Sequence, residues 1–410
     1  MATIARGLEG VVVTETRLSD VDGERGRLII GGVPVEELAP QAGFEEVLFL
    51  LWHERFPTVG ERRELQDALA AARRLPAATT ALLRDAAARR VPCMDALRMG
   101  VATLSVTAPA SGEAAQATRL RDAIGLVARF PTCVATYWRL RQGREPVAPH
   151  AELGHAANYL YMLTGTEPHA EMARALETYL NTVVDHGMNA STFAARVIAS
   201  TRSDMVSALV GAVGALKGPL HGGAPGPALD MVFEIQARAA LSRRSIAEEA
   251  EEWTRAAVTS GARIMGFGHR VYKVRDPRAE VLGAAATRLF EGASDARLYA
   301  DALCVEEVVL RVLHEMKPER RLQTNVEFYT ALLLNGIGLD TELFTPTFAV
   351  ARAGGWTAHV LEQAAEDRLI RPSVAYVGER NRSWPPPAVS SAPAAPAPEF
   401  GAPDGPSPVA

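Results

Sequence analysis

Cysteine is scarce in this chain. Three occur in 410 residues, Cys93, Cys133 and Cys304, widely spaced and without a C-x-x-C pair. That pattern excludes a disulfide framework and a thiolate zinc site, and leaves each thiol as a small apolar residue. Long apolar runs are also missing. No stretch reaches the ~18 residues of a membrane span, and M-A-T-I-A-R-G-L-E-G lacks the apolar stretch of a signal peptide. Net charge is -5 with no long basic block, which argues against nucleic acid as a partner. G-x-G-x-x-G, G-x-x-x-x-G-K-[ST] and H-E-x-x-H are all absent, as is any repeat of solenoid length. The expected setting is a reducing cytoplasm, with no membrane.

What is present is ordinary globular composition, 48% hydrophobic and 22% charged, with ample material for a large core or two domains. V-V-V-T-E-T (11 to 16) and R-L-I-I (27 to 30) read as short strands around the turn D-G-E-R-G. Helical periodicity dominates afterwards. Phe44, Val47, Leu48 and Leu51 follow i, i+3, i+4, i+7, as do Leu176, Tyr179, Leu180 and Val183, and later Val305, Val308, Val309 and Val312. The expected fold class is all-α, with a short β ribbon at the N-terminus. Composition changes after about Arg382. Residues 385 to 410, rich in proline and alanine, cannot bury enough apolar surface to offset ordering, so a disordered tail is expected over 381–410.

Five segments hold the chemistry. Asp185-His186-Gly187-Met188-Asn189-Ala190-Ser191-Thr192 reads as a helix–helix turn, with Gly187 ending one helix and Asn189 or Ser191 starting the next. It also reads as a polar cluster offered to an anion at helix ends. K-G-P-L-H-G-G around His221 breaks any helix. It is either a flexible connector or a histidine stripped of steric cover, able to donate to a developing oxyanion. Around His269 in G-F-G-H-R-V-Y-K stand Arg263, Arg270, Lys273, Arg275 and Arg278. They form either a solvated basic face or an anion site. Thr324-Asn325-Val326-Glu327 matches a capping box, and a carboxylate in a helix's first turn is held as the anion. Capping and substrate chemistry compete for that one side chain. Arg352 interrupts an apolar helix and has to face a carboxylate, from protein or ligand. Arg371 precedes Pro372 near the end of the ordered chain.

Two imidazoles and a carboxylate suit removal of a proton from carbon beside a carbonyl. These segments, in this order, resemble the citrate synthase family in its shorter bacterial and archaeal form. The likeness runs from G-L-E-G-V-V-V-T-E-T near residue 7 to R-P-S-V-A-Y-V-G ending at Gly378. F-E-E-V-L-F-L-L-W-H, M-D-A-L-R, D-H-G-M-N-A-S-T, L-K-G-P-L-H-G-G, G-F-G-H-R-V-Y-K with D-P-R, and N-V-E-F-Y carry it. The resemblance implies a large helical domain, 1–220 with 332–380, and a smaller one, 221–331, that closes over the ligands. It implies condensation of acetyl-CoA, a co-substrate, with oxaloacetate, with no permanently bound cofactor and no metal. His221 would stabilise the enol, Glu327 would take the methyl proton, and His269 would polarise the keto group. His186, Asn189, Arg278 and Arg352 would bind the dicarboxylate, and Lys273 the CoA. Arg371 matches an arginine supplied by the partner subunit, which implies a homodimer.

Two departures from the family pattern stand out. The base position, usually Asp, is Glu327; a carboxylate displaced by roughly 1 Å can cost about 10²-fold in rate. Pro225-Gly226 replaces the common Asn-Glu in the loop after His221. Two alternatives follow: a 2-methylcitrate synthase using propionyl-CoA, or a weakly active paralogue serving as helical scaffold or regulator.

Overall fold

The computed structural model describes residues 4–8, 10–107, 116–222, 225–269, 271–291 and 296–381. The proline- and alanine-rich tail expected from residue 381 lies outside the described residues from 382 onward, as do Arg270, Gly223 and Ala224. Sixteen α-helices and one three-stranded ribbon make up the described fold, as the helical periodicity indicates.

The ribbon comprises β1 (Ser19–Asp22), β2 (Arg27–Ile30) and β3 (Val33–Pro34), antiparallel in that order, with Asp22 opposite Arg27 and Ile30 opposite Val33. The expected strand at 11–16 does not form. That segment has no regular structure and no ladder partner among the described residues, and Val12 is 87% exposed. Alternating β-branched residues favour extension; only a neighbouring strand turns extension into sheet. The turn between β1 and β2 reaches the His269 segment, where the Lys273 N–H donates to the Gly23 carbonyl at 2.9 Å.

Helices α1 (Val35–Leu38), α2 (Phe44–His53), α3 (Val59–Ala72), α4 (Ala77–Ala88), α5 (Cys93–Ala102), α6 (Gln116–Arg141) and α7 (His155–Thr164) come first. Next come α8 (Ala170–Val183), α9 (Ala190–Ala199), α10 (Met205–Leu216), α11 (Pro225–Ser242) and α12 (Ile246–Ser260). The last four are α13 (Pro277–Phe290), α14 (Ala296–Met316), α15 (Val326–Gly336) and α16 (Phe344–Glu366). Pro225 and Gly226 thus open a helix instead of extending a loop, as fits a proline whose missing N–H costs nothing at the first helical position.

Helix α16 is the axis of the core. Ala349, Val350, Ala353 and Trp356 are fully buried, and the helix packs on α6, α8, α9 and α10. A helix apolar all round belongs in the interior, so each polar residue on it needs a reason to be there. Helices α13 and α15 pack together, with α8 against both, and this brings three of the chemistry-bearing segments to one place. Cys93 and Cys133 are buried free thiols and Cys304 is partly buried. No described helix is long and apolar enough to cross a membrane.

Candidate active site

The turn after α8 holds His186. Asn189 caps α9, its Oδ1 accepting the Thr192 N–H at 3.1 Å and the Ser191 hydroxyl at 2.7 Å. Its Nδ2 donates to the Gly187 carbonyl and to Thr192 Oγ1. The amide is therefore spent inside the turn, and its effect on a ligand is through the residues it holds. His186 Nε2 lies 3.1 Å from the Tyr272 hydroxyl.

His221 follows α10 in an irregular segment and is tied to the same turn: its Nε2 is 2.8 Å from Ser191 Oγ. Trp356 Nε1 also donates to that oxygen at 3.1 Å. Ser191 has one proton for two acceptors, Asn189 Oδ1 and His221 Nε2. When the hydroxyl turns to His221, Nδ1 carries the ring hydrogen and becomes a donor.

His269 is placed by a short pairing of 266–268 with 323–325. The Gly268 N–H donates to the Gln323 carbonyl at 2.7 Å, the Asn325 N–H to the Gly266 carbonyl at 3.0 Å, and Asn325 Nδ2 to the Gly268 carbonyl at 2.7 Å. Gly266 and Gly268 sit at φ 88° and 81°, a conformation other residues rarely adopt. The His269 ring accepts the Val271 and Tyr272 N–H groups at Nδ1, both at 3.1 Å, so its hydrogen resides on Nε2. Arg278 Nη2, also a donor, lies 3.3 Å from that Nε2. Two donors converge there with no acceptor between them. The His186 ring stands edge-on 5.9 Å from the His269 ring.

Among the described cationic residues near His269 in sequence, Arg278 reaches the ring. Its guanidinium is braced by Asp276, with Nε to Oδ1 at 3.0 Å and Nη2 to Oδ2 at 2.8 Å. Asp276 also caps α13 and accepts the Val326 N–H at 3.3 Å, joining the starts of α13 and α15. Arg275 turns to Glu306 and Tyr329 instead.

Arg352 on α16 is 1% exposed. Its Nε donates to the Val183 carbonyl at 2.8 Å, its guanidinium covers the Phe348 ring at 4.7 Å, and Nη1 has no hydrogen-bond partner among the described residues. Burying a cation with an idle donor is costly unless a ligand completes it.

The capping box at 324–327 is not formed. Pairing of Phe267 with Thr324 draws Thr324 into a bridge, so the helix begins one residue later, with Asn325 as its cap. Asn325 Oδ1 accepts the Glu327 N–H at 2.9 Å, and the Glu327 carboxylate is released from the cap. Nor is that carboxylate held as an anion. Burial raises its pKa to about 7, against the opposing pull of Arg278 and Arg352 and with a push from Asp276. The imidazoles shift the other way. Burial, then the neighbouring arginines, lowers His221 and His269 to about 4, and His186 well below its usual value. Burial also lowers Arg352 to about 10. At neutral pH the site thus presents three uncharged imidazoles, two guanidinium groups and a carboxyl near its own midpoint. Such a site suits an anion and a carbon acid.

Lys273 is exposed, on a small cavity it shares with His269, Arg320, Arg321 and Gln323. Arg371 is on the exposed, irregular segment after α16. Among the described residues, no group of His, Cys, Asp or Glu side chains is arranged to hold a metal ion. Sequence reasoning missed Tyr272, Asp276, Trp356, Arg320 and Arg321. D-P-R and H-R-V-Y-K contained the signals for the first two.

A family model described as citrate synthase, C-terminal domain, matches residues 7–373. A citrate synthase of Haloferax volcanii is 41% identical over 386 residues, 93% of this chain and 98% of that one. A 2-methylcitrate synthase of Mycobacterium tuberculosis is 38% identical over 382 residues, covering 93% and 92%. The solved ternary complex of carboxymethyl coenzyme A and oxaloacetate with citrate synthase from Thermoplasma acidophilum superposes with a TM-score of 0.83 at 29% identity, covering 94% of this chain and 99% of that one.

Proposed function

This chain belongs to the citrate synthase family and is an enzyme of the citrate (Si)-synthase type, a transferase; we propose that it condenses acetyl-CoA with oxaloacetate through the residues gathered above. The observation that supports this most is the set of N–H groups that lack an acceptor: His269 Nε2–H, the Arg278 Nη2 hydrogen turned away from Asp276, and the idle Nη1 of Arg352. A dicarboxylate with a keto oxygen supplies what they lack. Arg278 and Arg352 grip its carboxylates, with His186, and His269 hydrogen-bonds the keto oxygen.

Glu327, ionised, takes a proton from the acetyl methyl group, while His221, with the Ser191 hydroxyl turned to its Nε2, donates from Nδ1 to the thioester oxygen. The resulting enol carbon attacks the keto carbon; the thioester C=O reforms as the enol proton returns to His221 Nδ1, and the keto C=O π electrons move to oxygen. His269 protonates that alkoxide from Nε2. Water then cleaves the citryl-CoA thioester, giving citrate and free CoA thiol. Lys273, with Arg320 and Arg321 at the same cavity, meets the CoA phosphates as cations. Segment 221–331 closes over both ligands, and the enzyme works in the cytoplasm.

Propionyl-CoA is the second reading, since a 2-methylcitrate synthase stands among the similar chains. One methylene in an apolar pocket is worth about 1–3 kcal/mol, so both acyl groups fit within the same mechanism. Release of CoA thiol from each acyl-CoA in the presence of oxaloacetate tests the two readings together.

Arg371 completes the site from the partner subunit of a homodimer. Arg371→Ala is expected to raise the KM for oxaloacetate. Mixing it with inactive His269→Ala protein, under conditions of subunit exchange, is expected to restore activity, because each mixed dimer holds one intact site. Absence of rescue after exchange has been verified by mass would contradict a site shared between subunits.

A further inference from the structure

Behind the turn that carries His186 runs a buried polar chain that the mechanism above does not use. Its hub is Arg196 on α9, whose side chain is wholly buried. Arg196 Nη1 lies 3.1 Å from His359 Nδ1, and His359 Nε2 lies 3.1 Å from Asp185 Oδ1. A guanidinium can only donate, so the His359 ring accepts at Nδ1 and donates from Nε2 to Asp185. Asp185 Oδ2 accepts the Ser19 hydroxyl, and Ser19 Oγ accepts the Gly187 N–H at 2.9 Å. Both neighbours of His186 are thereby fixed. Helix α16 presses so close here that a Cβ on Gly355 would meet the Val184 carbonyl oxygen at 2.2 Å.

The other end of the chain reaches the surface. Arg196 Nη1 donates to Glu362 Oε2 at 2.6 Å, and Glu362 Oε1 accepts the Arg17 N–H at 2.9 Å. Arg196 Nη2 donates to Glu366 Oε2, which also accepts the Thr14 hydroxyl. Arg196 Nε donates to Gln363 Oε1, and Gln363 Nε2 donates to the Arg368 carbonyl at 3.0 Å. The outer end thus holds two irregular, largely exposed segments, one at 11–17 and one beginning at Arg368, three residues before Arg371.

We propose that Arg196, His359 and Asp185 form a positioning relay that couples the seating of the 11–17 and 368–371 segments to the placement of His186. The relay rests on the reading that oxaloacetate binds beside His186. A cation buried on α9, a carboxylate buried in the turn after α8, and between them a buried imidazole on α16 whose two nitrogens are both committed, form a contiguous connection with little slack. Coupling is reciprocal: if the segments fix His186, a ligand on His186 must tighten the segments.

Amide hydrogen exchange tests this on the full chain. Oxaloacetate is expected to slow exchange in peptides covering residues 11–20, where the Arg17 N–H is held by Glu362. His359→Phe, which breaks both bonds of the imidazole, should abolish that slowing and raise the oxaloacetate KM about 2- to 30-fold, with a smaller change in kcat. His359→Gln, able to accept and donate, should recover part of both. Should His359→Phe not fold, Glu362→Gln at the outer end decides the matter through the same exchange readout. Slowing that survives in the variants overturns the relay, and so does its absence in the unmodified protein when calorimetry on the same sample detects oxaloacetate binding. If calorimetry detects no oxaloacetate binding, the functional reading fails first and the relay with it.

Discussion

Glu327→Gln is expected to lower turnover by about 10²- to 10⁴-fold, the range of a positioned general base, while oxaloacetate binding is preserved. The substitution keeps the shape of the side chain. It leaves the start of α15 intact, because Asn325, not Glu327, supplies the cap. Its effect on stability has a defined sign. A carboxyl whose pKa is raised to about 7 in the folded protein, from 4.5, contributes stability below pH 4.5 that is lost as pH rises through 7. Above pH 7 the glutamine variant is therefore expected to melt no lower than the parent protein. In the parent, kcat/KM for acetyl-CoA should fall on the acid side with an apparent pKa near 7, as the base takes up its proton. Unchanged turnover in the variant would move the base to another residue.

Arg352→Met is the second large effect. Truncating one partner of a buried, hydrogen-bonded charge pair costs about 2–5 kcal/mol, so kcat/KM for oxaloacetate should fall by about 30- to 5,000-fold. The ligand-free protein should keep its melting temperature or gain, since Nη1 has no partner there and the guanidinium is buried. The rise in melting temperature that oxaloacetate gives the parent protein should disappear. A purely structural arginine would give the opposite pattern, a lower melting temperature with kinetics retained. Thermal melts with and without oxaloacetate, beside steady-state kinetics, separate the two.

The all-α class was legible from the period of apolar residues: α14 buries one regular stripe, and in α2 and α8 the periodic apolar residues are all buried within helices that are buried more widely. The His269 loop was legible from its two glycines, and Arg352 from its intrusion into an apolar helix. The capping box at 324–327 misled because a long-range pairing with Phe267 sets the helix start, and local sequence does not record that pairing. The charge of Glu327 misled for a related reason. Its place in the first helical turn favours the anion, yet burial by distant elements outweighs this. The strand expected at 11–16 finds no ladder partner among the described residues. Asp185, Arg196 and His359 were illegible as a unit, since residues more than 160 positions apart meet only once α9 and α16 pack.

The central claim is that this cluster joins an acyl-CoA methyl or methylene carbon to oxaloacetate and releases the thiol. The most direct measurement is thiol release by purified protein, comparing kcat/KM for acetyl-CoA and propionyl-CoA with oxaloacetate present and absent. The account predicts oxaloacetate-dependent release, abolished by Glu327→Gln, with acetyl-CoA preferred. No oxaloacetate-dependent release from either acyl-CoA would contradict it and leave the chain a helical scaffold of the same fold.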